Sequence, residues 1–87
     1  MNFGLFRVVS EDGKETFIIT DTIQTAALIW SANNIPEGPA SVSYQVFWWG
    51  ELLPEEQRMN IDYWLEFGPE GIIEFDKDNG WSMSRAY

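Results

Sequence analysis

The run ASVSYQVFWW, residues 40–49, is the longest β-type segment of this 87-residue chain. Successive side chains of an extended strand point to opposite sides of a sheet, so the run has two distinct sides. One side is apolar and comprises Val42, Tyr44, Val46 and Trp48. The other side begins with serines and ends in the rings of Phe47 and Trp49. This pattern predicts a central strand whose far end is covered or is offered to a partner.

Composition excludes most kinds of catalytic or metal site. The chain contains neither cysteine nor histidine, which removes disulfides, thiolate metal sites and the commonest general base. Hydrophobic residues make up 45% of the chain and aromatic residues 16%, which is sufficient for one folded domain over residues 1–87. We therefore expect no enzyme activity, no cofactor and no structural metal.

Targeting signals are lacking in the sequence. The N-terminal stretch MNFGLFRVV has neither the basic region nor the long apolar run of a secretory signal. No apolar stretch approaches the ~20 residues that a membrane span requires. With the absence of cysteine, these features predict a soluble cytoplasmic protein without a membrane partner.

Charge indicates the kind of partner. The net charge is −9, and nine of the 14 acids lie between Glu51 and Asp78. Such a surface repels phosphate backbones, so direct nucleic-acid binding is disfavoured. A basic protein would be attracted and steered towards it.

Asp12-Gly13 predicts the first hairpin, a two-residue type I′ turn between strands at residues 3–9 and 15–20. That register places Val8 opposite Phe17 and Phe6 opposite Ile19. All four side chains would then lie on the core face.

A helix is predicted over residues 22–33. Asp21 or Thr22 can cap it, and Gln24 follows Asp21 at the spacing of a capping box. Its apolar residues recur at helical spacing and comprise Ile23, Ala26, Ala27 and Trp30. We expect Ile23, Ala27 and Trp30 to pack against Phe6, Phe17 and Val46, with Trp48 also in the core.

Residues 61–67 are predicted to form a strand, because their apolar side chains alternate strictly. Pro69-Glu70-Gly71 suits a three-residue hairpin after that strand. Asn79-Gly80 suits a type I′ turn that pairs Glu74 with Arg85 and places Trp81 on the outer face. The predicted fold is α+β, with one mostly antiparallel sheet of five strands in the order ββαβββ. A single helix would pack on one face and leave the other open.

Two weaker patterns suggest chemistry. The segment from Asp76 to Gly80 resembles a calcium loop, but it lacks the sixth-position glycine and the twelfth-position glutamate, so a hairpin turn is favoured. Asp62 with Glu66, or Glu74 with Asp76, are the available acid and base pairs. Surface carboxylates at strand spacing normally form a solvated face, and no glycine-rich phosphate loop or nucleophile elbow accompanies them.

Tryptophan and acid together supply the candidate partner-binding surface. It comprises Trp49, Glu51, Asp62, Trp64, Glu66, Glu74, Asp76 and Trp81. Exposed aromatic rings among polar groups are typical of protein-binding surfaces, where tryptophan is enriched at hot spots. The alternative is that a predicted register is slipped by one residue, or that these rings cover the rim of a small core.

A cysteine-free and histidine-free domain of 87 residues, with nine acids between Glu51 and Asp78 and interleaved tryptophans, resembles small phage-encoded inhibitors. These include anti-CRISPR, anti-restriction and glycosylase-inhibitor proteins, and the resemblance is one of composition. It implies an acidic inhibitor that occupies the nucleic-acid-binding surface of a basic protein, either as a DNA mimic or by steric blocking. The alternative is an interaction domain without an inhibitory role, or a homodimer, that uses an exposed tryptophan face. Capture of a basic partner should weaken steeply with salt, whereas aromatic self-association should not.

Overall fold

The computed structural model describes residues 3–11, 13–33 and 42–86. Its elements are β1 (Gly4–Ser10), β2 (Glu15–Thr20), α1 (Ile23–Asn33), β3 (Val42–Phe47), α2 (Ile61–Phe67), β4 (Gly71–Asp76) and β5 (Gly80–Ala86). Two short 3-10 turns, Gly50–Leu52 and Glu55–Gln57, connect β3 to α2. The strands form one antiparallel sheet in the order β3-β1-β2-β4-β5. The α+β class and the five-stranded antiparallel sheet are confirmed, but the ββαβββ order with a single helix is not, because α2 precedes β4.

The helix predicted at residues 22–33 is present as α1. Thr22 caps it, since its Oγ1 accepts the main-chain N–H of Thr25 at 3.1 Å. The buried side chains of α1 are Ala26, Ile29 and Trp30, and they pack on Phe6, Val8 and Ile18. Burial of Trp30 agrees with the prediction, whereas Ile23 and Trp48 are largely exposed and do not belong to the core.

The turn between β1 and β2 differs from the predicted one. Ser10 donates its N–H to the Lys14 carbonyl at 3.0 Å and accepts the Gly13 N–H at 2.8 Å. Gly13 has a φ of +86°, which glycine adopts readily. Ser10 and Lys14 therefore close the hairpin and Gly13 ends its loop in the left-handed conformation, so the predicted two-residue turn between residues 11 and 14 is wrong.

This longer loop shifts the β1–β2 register by one residue. Phe6 pairs with Ile18, and Leu5 pairs with Ile19. Because strand side chains alternate, Phe17 and Ile19 move to the face opposite Phe6. The predicted core set is consequently divided between two faces, which we call the α1 face and the α2 face after the helix that covers each.

The α2 face is the one that the sequence predicted to be open, and residues 50–67 cover it. The predicted strand at 61–67 is instead the helix α2, whose buried side chains Ile61 and Leu65 are one turn apart. The core beneath α2 comprises Leu5, Ile19, Leu53, Ile61, Leu65, Ile73 and Trp81. In a run of seven residues, an apolar pair four positions apart fits a helix as well as a strand. Burial against the sheet selects the helix.

The β4–β5 hairpin also differs from its predicted register. Asp76 pairs with Gly80 and Phe75 with Trp81, so the loop has three residues. Gly80 supplies the left-handed conformation, with a φ of +79°. This pairing turns Trp81 towards the α2 face instead of solvent.

Candidate protein-interaction surface

Trp81 is a core residue, and the prediction that it lies on the outer face of the sheet is wrong. Its side chain is 2% exposed. The indole Nε1 donates to the Gln57 carbonyl at 2.8 Å, and the ring meets that of Phe17 edge to face at a centroid distance of 5.0 Å. Trp64, another predicted contact residue, is half-buried and donates its Nε1 to the Trp81 carbonyl at 3.3 Å. Both tryptophans therefore attach the 50–67 layer to the sheet.

Asn60, which was not among the predicted site residues, completes this attachment. Its Oδ1 accepts the Trp81 N–H at 2.8 Å, and its Nδ2 donates to the Trp81 carbonyl at 3.1 Å. Asn60 has a φ of +51°, in the left-handed region that asparagine tolerates better than most residues. Gly80 leaves room for it, since an added Cβ there would lie 2.5 Å from the Asn60 Oδ1. Asn60 directly precedes α2, a position at which asparagine is favoured, and this is the only local sequence signal for it.

Trp49, Glu51, Asp62 and Glu66 are exposed, as the prediction requires. Trp49 and Asp62 are brought together at Gly50, the residue that follows Trp49. An added Cβ at Gly50 would lie 2.5 Å from the Asp62 Oδ1 and 3.0 Å from Ile61. The start of α2 thus packs directly on the main chain beside Trp49. Glycine at position 50 permits that approach because it has no side chain.

Two further aromatic rings stand on the outer side of α2. Tyr63 and Phe67 are one helical turn apart, and their ring centroids are 5.3 Å apart. They are 59% and 64% exposed, which is unusual for large aromatic side chains. Strand alternation in the sequence predicted both rings to lie in the core, so their exposure was not expected. We define the aromatic-acidic surface as Trp49, Glu51, Asp62, Tyr63, Glu66 and Phe67.

Glu74 and Asp76 lie elsewhere. They alternate with Ile73 and Phe75, which face the α2 core, so the two acids are on the α1 side of the sheet. Glu74 accepts the Ser84 hydroxyl at 3.2 Å. The structure therefore separates these acids from the aromatic-acidic surface.

Asp76 has a structural task in its hairpin. Its carboxylate accepts the main-chain N–H of Asp78 at 2.8 Å and the Asn79 side-chain amide at 3.1 Å. The Asp78 N–H is the main cause that lowers the pKa of Asp76, and the Asn79 amide adds to it. The segment from Asp76 to Gly80 therefore forms a hairpin turn, as was favoured over a calcium loop.

A cleft lies along β2 and β4, whose pairing extends only from Ile19 to Phe17 on the β2 side. It has a volume of about 550 Å³ and is open to solvent. Lys14 and Arg85 line it together with Glu15 and Glu74, so its charge is mixed. Among the described residues, no cluster of three or more acids is arranged to hold a metal ion. No helix in the same residues is long and apolar enough to span a bilayer.

No protein-family model, curated protein or solved structure matches this chain. The interpretation of the aromatic-acidic surface therefore depends on its own geometry and charge. Those two properties, exposed rings and clustered carboxylates, distinguish it from the rest of the described surface.

Proposed function

We propose that this protein is a small acidic inhibitor or interaction protein that binds the basic nucleic-acid-binding surface of a partner protein. The aromatic-acidic surface would make the contact. The observation that carries the proposal is that exposed rings of Trp49, Tyr63 and Phe67 stand among carboxylates on one layer. Large aromatic side chains supply binding energy at interfaces, and exposed charges steer the approach of the partner.

The charge of the layer supports a basic partner. Residues 50–68 contain five acids and a single base, Arg58. The Arg58 guanidinium donates to the main-chain carbonyls of Leu53 and Glu51, at 3.0 and 2.8 Å, so it holds the loop together. Asp62 and Glu66 are four positions apart on α2, about 6 Å along the axis. A rigid cluster of negative charge of this kind attracts a cleft that has evolved for phosphates.

The division of the acids favours steric blocking with electrostatic steering over imitation of a long phosphate array. Glu74 and Asp76 lie on the other side of the sheet, so one flat partner surface would not contact them together with Asp62 and Glu66. We therefore propose that the α2 layer enters the partner's cleft and that its rings fill space that the nucleic acid would occupy.

A charge-reversal pair tests the proposal. Proteins captured from a host lysate by the immobilised chain are identified, and the purified partner is studied by stopped-flow kinetics at low and high salt. The partner should be basic and should lose its nucleic acid when the chain binds. Asp62→Lys with Glu66→Lys should slow association at low salt by one to three orders of magnitude, on the order expected for steering. The control is Glu74→Lys with Asp78→Lys, which changes the charge equally at the β4–β5 hairpin.

The outcomes separate four possibilities. A slower association that is confined to the α2 pair of substitutions supports the proposal. An equally slow association in both pairs would assign binding to net charge instead. An unchanged rate and salt dependence in the α2 pair, with the fold intact by circular dichroism, would exclude this surface. A captured partner that keeps its nucleic acid in the complex would exclude the inhibitory role.

The rings are tested by a matched truncation. Phe67→Ala should speed dissociation of the complex and cost about 2 kcal/mol of binding free energy if the ring is a hot spot. Leu28→Ala is the control, because Leu28 is 62% exposed on α1, nearly the same as Phe67. Equal dissociation rates for the two variants would contradict a contact through α2.

A further inference from the structure

The two edges of the sheet are protected to different degrees. β5 carries Arg85 near its end and pairs with β4 through a register shift at Ile72 and Ile73, and both features discourage pairing with another strand. β3 has the sequence VSYQVF, without charge or proline, and pairs regularly with β1. Within the described residues, the outer N–H and C=O groups of β3 face no further strand. β3 therefore presents a regular and uncharged edge.

The α1 face beside this edge is incompletely covered. α1 lies over β1 and β2, and it leaves Val46 39% and Trp48 42% exposed. The Trp48 ring packs edge to face on Phe6 at 6.0 Å and closely over Gly4, where an added Cβ would lie 2.9 Å from Cε3. Trp48 is thus fixed in place while one side of its ring remains in solvent. We define the β3 strip as Val42, Tyr44, Val46 and Trp48.

Charge identifies the occupant that fits this edge. A chain of net charge −9 repels its own copy wherever acids face each other. Residues 38–50 contain no charged side chain, so a second copy that approaches along β3 meets little of that repulsion. A basic partner, in contrast, would gain nothing electrostatically from an uncharged edge. We infer that β3 is the interface of a homodimer, in which the β3 strands of two copies pair antiparallel about a two-fold axis.

The geometry of such a pair matches the β3 strip to itself. In a two-fold antiparallel pair, directly opposite residues are on the same face of the sheet. Val42, Tyr44 and Val46 therefore meet the same three residues of the second copy, and the strip becomes a continuous apolar row. The outer main-chain groups of β3 find hydrogen-bonding partners in the same step. The two five-stranded sheets become one sheet of ten strands, and α2 covers the face of the sheet opposite to the β3 strip.

Sedimentation equilibrium of the full chain at 50 and 500 mM NaCl tests the inference. The wild type should approach the dimer mass, and the dimer should be tighter at high salt because salt screens the repulsion between the two copies. This salt dependence is opposite in sign to that expected for capture of a basic partner, so the two proposals fail separately. A monomer at every concentration and salt, up to the millimolar range, would overturn the inference.

A serine on each edge strand provides the matched variants. Ser43→Glu places a charge on β3, and Ser82→Glu places the same charge on β5; both serines are exposed. Ser43→Glu should weaken the dimer by about tenfold or more, since like charges are brought together across the axis. Ser82→Glu should change the dissociation constant by less than about twofold. Equal weakening by both would assign the effect to net charge and contradict a β3 interface.

Hydrogen exchange of the wild type gives a readout that does not depend on variants. Exchange of the outward amides of residues 42–47 should slow as protein concentration rises, whereas that of residues 80–86 should not. A concentration dependence that is absent from β3, or present equally on β5, would overturn the assignment of the interface.

Discussion

The two layers that cover the sheet both attach by apolar burial, but the α2 layer is in addition tied to the main chain of β5 by side-chain hydrogen bonds. α1 is an uncharged helix of 11 residues that follows β2 directly and attaches by apolar burial of Ala26, Ile29 and Trp30. The α2 layer consists of two 3-10 turns and a helix of seven residues, and side chains tie it to β5. Three of these ties, from Asn60 and Gln57, reach Trp81 over 21 to 24 positions of the chain.

This difference shows which layer depends on the rest of the fold. A seven-residue helix has little stability of its own in water, because helix nucleation is costly. α2 is therefore ordered by its contacts with the sheet, through burial of Ile61 and Leu65 and through the hydrogen bonds of Trp81 and Asn60, and not by local helix stability. The aromatic-acidic surface is carried by this dependent layer, so its geometry is fixed only when the β4–β5 hairpin is in register.

The strongest test compares the tryptophans that anchor the two layers. Trp81→Ala should cost about 3 to 5 kcal/mol of the free energy of unfolding, and Trp30→Ala should cost a similar amount, because both rings are buried. Trp81→Ala also removes the hydrogen bond to the Gln57 carbonyl, which ties the α2 layer to the sheet. We expect both variants to show a lower midpoint than the wild type in urea denaturation.

Local order distinguishes the two variants further. In hydrogen exchange of the folded fraction, Trp81→Ala should speed the exchange of the main-chain amides of residues 61–67. Trp30→Ala should instead speed the exchange of those of residues 23–33. A loss below roughly 1 kcal/mol for Trp81→Ala, or the same exchange pattern in both variants, would contradict the distinction between the layers.

The next effect in size comes from one asparagine in each layer. Asn60→Ala removes two hydrogen bonds to the main chain of Trp81 and leaves alanine at a positive φ, so it should cost about 1 to 3 kcal/mol. Asn33→Ala also removes two side-chain hydrogen bonds, one to Ile29 and one to Arg85, but near the solvent-exposed end of α1. It should cost less than about 1 kcal/mol. Equal midpoints for the two variants in urea denaturation would show that Asn60 is not an anchor.

The sequence predicted α1 well because its signals are local. The cap at Thr22 and the helical spacing of its apolar residues lie within about three turns of chain. The sheet was predicted in class and strand number, but the Asp-Gly and Asn-Gly signals fit loops of two or three residues equally well. A difference of one loop residue changes which face a side chain occupies, and this explains the wrong positions of Phe17 and Trp81.

The candidate site was predicted in part for the same reason. Trp49, Glu51, Asp62 and Glu66 are exposed whether residues 61–67 form a strand or a helix. Tyr63 and Phe67 change sides between those two structures, and they were therefore missed. The contacts that favour the helix over the strand include those of Gln57 and Asn60 with Trp81, 21 to 24 positions further along the chain. No local sequence pattern contains such a contact.

The smallest effect concerns the turn that sets the register of Trp81. Hydrogen bonds to the Asp76 carboxylate lower its pKa below the usual value of 3.8. A carboxyl whose pKa is lower in the folded than in the unfolded chain stabilises the fold above the unfolded pKa, and this contribution disappears as pH falls through the folded pKa.

In NMR titration the Asp76 carboxyl should therefore have a midpoint below 3.8, and Asp76→Asn should flatten the fall in melting temperature below about pH 4. Asp78→Asn removes the same charge two positions further along the turn and keeps the main-chain N–H that Asp76 accepts, so it should leave that fall in place. A midpoint at or above 3.8 would mean that the hairpin is closed by Gly80 alone, and the register that carries Trp81 to the α2 layer would not depend on Asp76.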